Sequence, residues 1–234
     1  MAKKQTKQPP KLQEALVLFK YILSLFGCRD LSALSENLKD SALEGIDDEG
    51  TSKIVHALKA HLYIGYEINE AKLLEYDRNI VKHTQAINEN RKDKITWKYY
   101  QYLALLFTEV YLDRYFSDRQ ALLDGINRFL CEEFNARQET WHEMPAFTED
   151  DLNKLAFWCA TGSGKTLMLH VNIMQYLHYA EKHHAKKLNR IIILTPNEGL
   201  SVQHIAELQN SGFHASFFTK QTDTGMFGGT KTIQ

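Results

Sequence analysis

Apolar residues recur at helical spacing from Lys11 to about Asn135, and beyond that the period shortens. Leu12, Leu16, Phe19, Leu23 and Phe26 fall on one face of a helix over 11–27. The same spacing predicts helices over 31–39, 51–63, 66–90, 96–116 and 118–135. In the fourth, Leu73, Tyr76, Ile80 and Ile87 form one stripe. The fifth, Tyr99 to Phe116, is apolar nearly all round and so belongs at the centre of a bundle. Its many aromatic residues are read as core rather than as a base-stacking surface. From about residue 152, short apolar runs alternate with helical stretches. Leu155-Ala156-Phe157-Trp158-Cys159, within 154–160, reads as a buried strand, and Ile191-Ile192-Ile193-Leu194 as another. Phe213 to Thr219 is a third candidate, and Thr232-Ile233-Gln234 has the character of a strand beginning. Helices are predicted from Leu167 to about Glu181 and over 198–211. Such alternation implies a parallel α/β sheet.

The breakers divide the chain. Residues 1–10 are polar, lysine-rich and end in Pro9-Pro10, which reads as a disordered tail. Residues 11–140 form the helical domain, with a loop at Gly45 and Asp47-Asp48-Glu49-Gly50. Residues 141–151 are a linker containing Pro145 and Thr148-Glu149-Asp150-Asp151, a capping or turn element. Residues 152–234 are the α/β domain.

Composition removes several classes. The formal net charge of −1 gives no global electrostatic case for nucleic acid, so any such binding rests on local groups. Two basic clusters, Lys3, Lys4, Lys7 and Lys11, and Lys182, Lys186, Lys187 and Arg190, read as a solvated tail and a helix end. Cys28, Cys131 and Cys159 lie far apart, which points to a reducing, cytoplasmic setting and away from a disulfide scaffold or zinc site. The ten histidines show no metal-ligand spacing. Lysines precede the apolar stretch Ala15 to Phe26, but Glu14 and Lys20 interrupt it where a secretory signal is free of charge. No run is long enough to span a membrane.

The chemistry concentrates in Ala160-Thr161-Gly162-Ser163-Gly164-Lys165-Thr166, between the first predicted strand and the helix from Leu167. Strand, glycine loop and helix in that order form a phosphate-binding loop. Glycines let backbone N–H groups turn inward onto phosphate oxygens, and the helix N-terminus adds partial positive charge. Thr161, Gly162, Ser163, Gly164, Lys165 and Thr166 are therefore the cofactor-binding candidates. Lys165 would reach the β- and γ-phosphates of ATP, and the Thr166 hydroxyl would bind Mg²⁺. Cys159 stands where the commonest pattern has glycine. The alternative is a glycine-rich turn that binds nothing.

Downstream, Thr195-Pro196-Asn197-Glu198-Gly199-Leu200-Ser201-Val202-Gln203 follows the second strand. The strand delivers a Thr-Pro turn to the carboxyl edge of a parallel sheet, where ligands bind. Thr195, Pro196, Asn197 and Gln203 are the nucleic-acid candidates, making backbone contacts that carry no sequence information. The alternative is an ordinary strand-to-helix turn.

Together the two motifs resemble those of the first RecA-like domain of superfamily-two helicases and translocases. Ala-Thr-Gly-Ser-Gly-Lys-Thr is the form of motif I found in the type III restriction-enzyme (Res-subunit) and type I restriction motor branches. Pro196, Leu200 and Gln203 match motif Ia, whose DEAD-box form is Pro-Thr-Arg-Glu-Leu-Ala-x-Gln; Asn197, Glu198 and Gly199 depart from it. Tyr99 to Phe116 is also similar to the helical N-terminal region of some Res-type helicases. The resemblance implies a fold of α + α/β class, an all-helical N-terminal region followed by a partial RecA-like P-loop parallel α/β domain. It implies ATP and Mg as cofactors, DNA as partner, and a methyltransferase or other restriction-system subunit beside it. No Asp-Glu-x-His or Asp-Glu-Ala-Asp follows Thr166, and no second RecA-like domain with an arginine finger. The chain thus reads as an N-terminal fragment without steady ATP turnover of its own. The competing readings are a nucleotide-binding regulatory or scaffold protein and another P-loop NTPase such as a kinase. In the RecA-like order, strands beyond residue 234 flank the phosphate-loop strand. Amide exchange is therefore expected to be fast over 154–234 and slow over 96–135.

Overall fold

The computed structural model describes residues 12, 15–60, 62, 67–137 and 143–218. The tail 1–10 and the strand beginning at Thr232 lie outside them. Among the described residues eight α-helices run in the order α1 Val17–Leu25, α2 Leu31–Ser35, α3 Lys53–Lys59, α4 Glu70–Asn88, α5 Tyr99–Ser117, α6 Arg119–Phe129, α7 Lys165–Lys182 and α8 Glu198–Asn210. Each answers to a predicted helix. Short 3₁₀ turns at Ser41–Leu43 and Asp151–Asn153 have no counterpart in the periodic pattern, and the end of the helix predicted over 118–135 is a π-helical turn at Leu130–Phe134.

The starts and stops have local causes. Asp30, Asn69, Asp118 and Asn197 each accept the N–H three residues on, capping α2, α4, α6 and α8. Leu25-Phe26-Gly27-Cys28 is the end of α1. The Cys28 N–H returns to the Leu23 carbonyl and the Gly27 N–H to Ser24, a Schellman stop. In the loop that follows α2, Asp47 organises the turn itself. Its Oδ1 accepts from the Glu49 and Thr51 amides, and its Oδ2 pairs with His56 at 2.7 Å.

α5 is the central helix, with Leu105, Leu106 and Val110 wholly buried and Tyr102, Phe107 and Tyr111 in the same core. Its aromatic residues are packing material. α1, α4 and α6 surround it. So does α7, the helix that leaves the glycine loop: Met168, Val171 and Tyr179 belong to the same hydrophobic core as α5. The outer face of α7 carries a second, small cluster in which Ile173 meets Leu208 and Phe213.

The stretch that composition marks as a linker is laid against this core over its described part. The Asn127 amide brackets the Phe147 backbone, donating to its carbonyl and accepting from its N–H, and Asn135 does the same to Met144. The Tyr111 hydroxyl holds the Leu152 carbonyl at 2.6 Å.

The expected sheet is not formed: among the described residues there is no strand, only an isolated bridge between Ile46 and Ser52. Residues 154–160 were expected to be buried, yet Phe157 and Trp158 are 43 % and 61 % exposed. In 191–194, Ile191 and Ile193 pack on the α7–α8 cluster while Ile192 and Leu194 face outward. That is strand alternation with one face covered. Residues 213–218 likewise anchor Phe213 and leave Phe218 exposed. The reason is that apolar composition fits a strand but does not pair its backbone; a ladder needs a neighbour at both edges. The core position of α7 also narrows the exchange expectation: fast exchange belongs to 154–164 and 186–218, not to α7.

Polar groups are buried between α4, α5 and α7. Glu109, wholly buried, accepts from the Tyr179 hydroxyl at 2.6 Å and the Asn79 amide at 3.0 Å. Burial pushes its pKa up to about 7, with the hydrogen bonds from Tyr179 and Asn79 opposing a further rise. The native state therefore keeps a proton that the unfolded chain releases near 4.5. The stability this contributes is full below about 4.5 and is lost as pH rises through 7. His83 and His170 act in the opposite sense. Burial lowers both to about 4, so their contribution is full above 6.5 and is lost as pH falls through 4. Glu109→Gln isolates the first effect. Relative to wild type, we expect the variant to gain stability between pH 5 and pH 8, by up to about 3 kcal/mol in denaturant titrations. A pH-independent difference would mean that Glu109 titrates alike in both states.

Candidate nucleotide site

The loop before α7 is built by its own backbone. Thr161 and Gly162 form a turn closed by the Ser163 N–H on the Ala160 carbonyl at 3.3 Å. Gly162 and Gly164 adopt φ of +78° and +80°, the left-handed region that a side chain disfavours. Gly164 is the N-cap of α7, with no side chain capping it, and its carbonyl accepts both the Leu167 and Met168 amides at 3.1 Å. The first turn of an uncapped helix points N–H groups out of its end with the positive pole of the dipole behind them.

Lys165 is exposed and its ammonium lies over the loop, donating to the carbonyls of Ala160 at 2.7 Å and Cys159 at 3.1 Å. Neither bond ties it into the core. Thr161 and Gly162 are exposed, Thr166 is half-buried, and Ser163 is buried with its hydroxyl lacking a partner. This set suits a nucleotide phosphate: one mobile cation, an anion-attracting helix end, glycines where the chain must turn back, and an unused hydroxyl.

A residue without any sequence signal completes the loop. Gln101, in the first turn of α5, accepts the Lys98 N–H at 2.9 Å and donates to the Ser163 carbonyl at 2.9 Å. It ties the glycine loop to the central helix across 62 residues of chain. A lone glutamine in a helical stripe gives no hint of that role.

The second motif forms the start of α8. Asn197 Oδ1 caps the Leu200 N–H at 2.9 Å, and the Thr195 hydroxyl donates to the Asn197 carbonyl at 3.1 Å and pairs with Ser201. The Thr195 hydroxyl, expected to be free for a phosphate, is thus committed to the helix start. Pro196 and Gln203 are exposed. The departure of Asn197 from the motif has a physical use here, because asparagine is among the best N-caps. No hydrogen bond or ion pair among the described residues joins 195–203 to 161–166. The two are related through α7, which starts at the loop and packs on Leu208 of α8.

The family model of the type III restriction enzyme, res subunit, matches residues 72–232, more than half of the chain. The chain belongs to that family. No curated protein and no solved structure matches it. The res-subunit family is a superfamily-two, helicase-like family of ATP-dependent nucleic-acid enzymes. Such enzymes in general use ATP with Mg²⁺ and work beside a modification subunit. The match begins in α4, so it takes in α4 and α5 as well as the glycine loop and α8. Among the described residues no helix is long and apolar enough to cross a membrane, and no group of side chains is set to hold a metal ion.

The loop's geometry separates two effects at Gly164. A Cβ there would come within 2.5 Å of the Gln101 amide nitrogen, the far end of a flexible side chain that can move away. The positive φ cannot be relieved in that way. We expect Gly164→Ala to cost about 1–2 kcal/mol in denaturant titrations. Adding Gln101→Ala should recover less than half of that; full recovery would mean that the clash with Gln101, and not the backbone conformation, causes the loss.

Proposed function

We propose that the chain binds ATP with Mg²⁺ at 161–166 and a DNA backbone at 195–203, as the N-terminal part of an ATP-driven translocase of a restriction or phage-defence system. The observation that carries this reading is the Lys165 ammonium, exposed and poised on a glycine loop at the uncapped end of α7. In this reading Lys165 meets the β- and γ-phosphates and the amides of Thr161 to Thr166 cradle them. The Thr166 hydroxyl would help to hold Mg²⁺, which would supply charge neutralisation at the phosphates. At 195–203, Pro196 and Gln203 are open to solvent. Asn197 keeps its Nδ2 for a phosphate while its Oδ1 caps the helix. Contacts of this kind hold a strand without reading its bases. The working partner in this reading is a methyltransferase or other restriction-system subunit, and the domain division is a helical region followed by a RecA-like unit beginning near residue 152.

A nucleotide-binding scaffold is the competing reading, and a DNA-binding measurement separates the two. Lys165→Ala should weaken binding of a labelled, non-hydrolysable ATP analogue at least tenfold, because a desolvated cation on phosphate is worth well over 1.4 kcal/mol. Its melting temperature should match wild type, since the side chain lies outside the core. Analogue binding at the wild-type level in that variant would remove the site.

A further inference from the structure

α8 is fastened at one end only. Of its residues Leu208 alone is buried, and the half that carries Gly199, Val202 and Gln203 is exposed. Its C-terminal end is gripped by Arg91, in the loop that follows α4. The Arg91 Nη2 donates to the Glu207 carboxylate at 3.0 Å, to the Glu207 carbonyl at 3.2 Å and to the Ser211 hydroxyl at 2.7 Å. The Arg91 side chain is 13 % exposed and that of Glu207 35 %, so solvent reaches the pair from the Glu207 side while Arg91 itself is largely enclosed.

The grip continues into α7. Ser211 Oγ lies 2.8 Å from Nδ1 of His170, which is wholly buried little more than a turn beyond Lys165. Arg91 donates to the Ser211 oxygen, and the Ser211 hydroxyl shares a further hydrogen bond with His170 Nδ1, while His170 Nε2 is buried without a partner among the described residues. The Phe213 ring stands edge-on to His170 at 5.9 Å, and the Phe213 N–H closes α8 on the Leu208 carbonyl. One buried joint therefore touches the end of α4, the second turn of the phosphate-loop helix and the closing turn of α8.

We propose that Arg91, Ser211 and His170 form a positioning joint that couples the phosphate loop to the nucleic-acid edge. A shift of the first turns of α7 on nucleotide binding moves His170, and through Ser211 and Arg91 it reorients α8, in which Leu208 is the one fully buried residue. The inference rests on the function proposed above and adds how its two sites communicate. None of the three residues touches nucleotide or nucleic acid; they act through the helices they hold. Coupling of this kind is reciprocal and falls in the range of about 5- to 150-fold in affinity.

The test uses the 234-residue chain, a fluorescent non-hydrolysable ATP analogue with Mg²⁺, and a single-stranded oligodeoxynucleotide. In wild type, saturating oligonucleotide should tighten the analogue about fivefold or more. Arg91→Ala should bring that ratio to one and leave the analogue's affinity without oligonucleotide within twofold of wild type. Arg91→Lys, which keeps a cation facing Glu207, should restore part of the ratio; Ser211→Ala should lower it without removing any charge. Amide exchange over 198–211 should quicken in Arg91→Ala while α5 stays protected, which also shows that the variant is folded. A wild-type ratio retained by Arg91→Ala overturns the joint and leaves the proposed function standing, as does a wild type that binds both ligands without coupling. A wild type that binds neither ligand overturns both.

Discussion

The seating of α7 against α4 and α5 is the constraint on which the rest depends. α7 starts at the glycine loop, and its inner face, with Val171 and Tyr179 wholly buried, is part of the helical core. The loop is therefore mounted on a helix that packs against α5, the most densely buried helix among the described residues. Gln101 adds a direct tether from the first turn of α5 to the loop backbone. A phosphate site needs its donors held near their working positions, and packing along the rest of α7 does that without tying down its first turn. The Lys165 head is left free of the core for the same reason: its helix is held by residues further along.

The same interface explains why so many polar groups are buried. Glu109, Asn79, Tyr179 and Gln175 lie where three helices meet, and Lys72 and Lys182 converge on Asp113 nearby, Lys72 at 2.8 Å and Lys182 at 3.5 Å. Hydrogen bonds from Lys72 and Tyr76 hold the Asp113 carboxyl below its ordinary range against the upward push of burial. Apolar contacts alone allow helices to slide; buried directional bonds fix one register. Lys182, which looks in sequence like one cation of a solvated cluster, is thus one bolt of the α4–α5–α7 interface.

Outside that core the described residues after α7 are organised by α7 and α8, with no sheet among them. Residues 191–194 alternate inward and outward against the small cluster of Ile173, Leu208 and Phe213. They have the side-chain pattern of a strand and one covered face. Among the described residues no neighbouring strand pairs with their backbone. The exposed Trp158 and Leu194, 61 % and 90 %, are the consequence.

By itself the sequence determined every helix, because apolar spacing and the cap residues Asp30, Asn69, Asp118 and Asn197 act over a few residues. It determined the all-apolar character of α5, and so its central place. It also determined the glycine loop, since that chemistry is contiguous in the chain. The family assignment rests on a match that runs over residues 72–232. The tertiary structure decided what depends on distant partners. It brought Gln101 to Ser163, joined Arg91 to Ser211 and His170, and laid residues 143–152 along α5 and α6. It also turned the Thr195 hydroxyl to a local structural task. Whether an apolar run becomes a strand belongs to this second group. Periodicity fixes which side chains face inward, but only a neighbouring backbone can complete the hydrogen bonds.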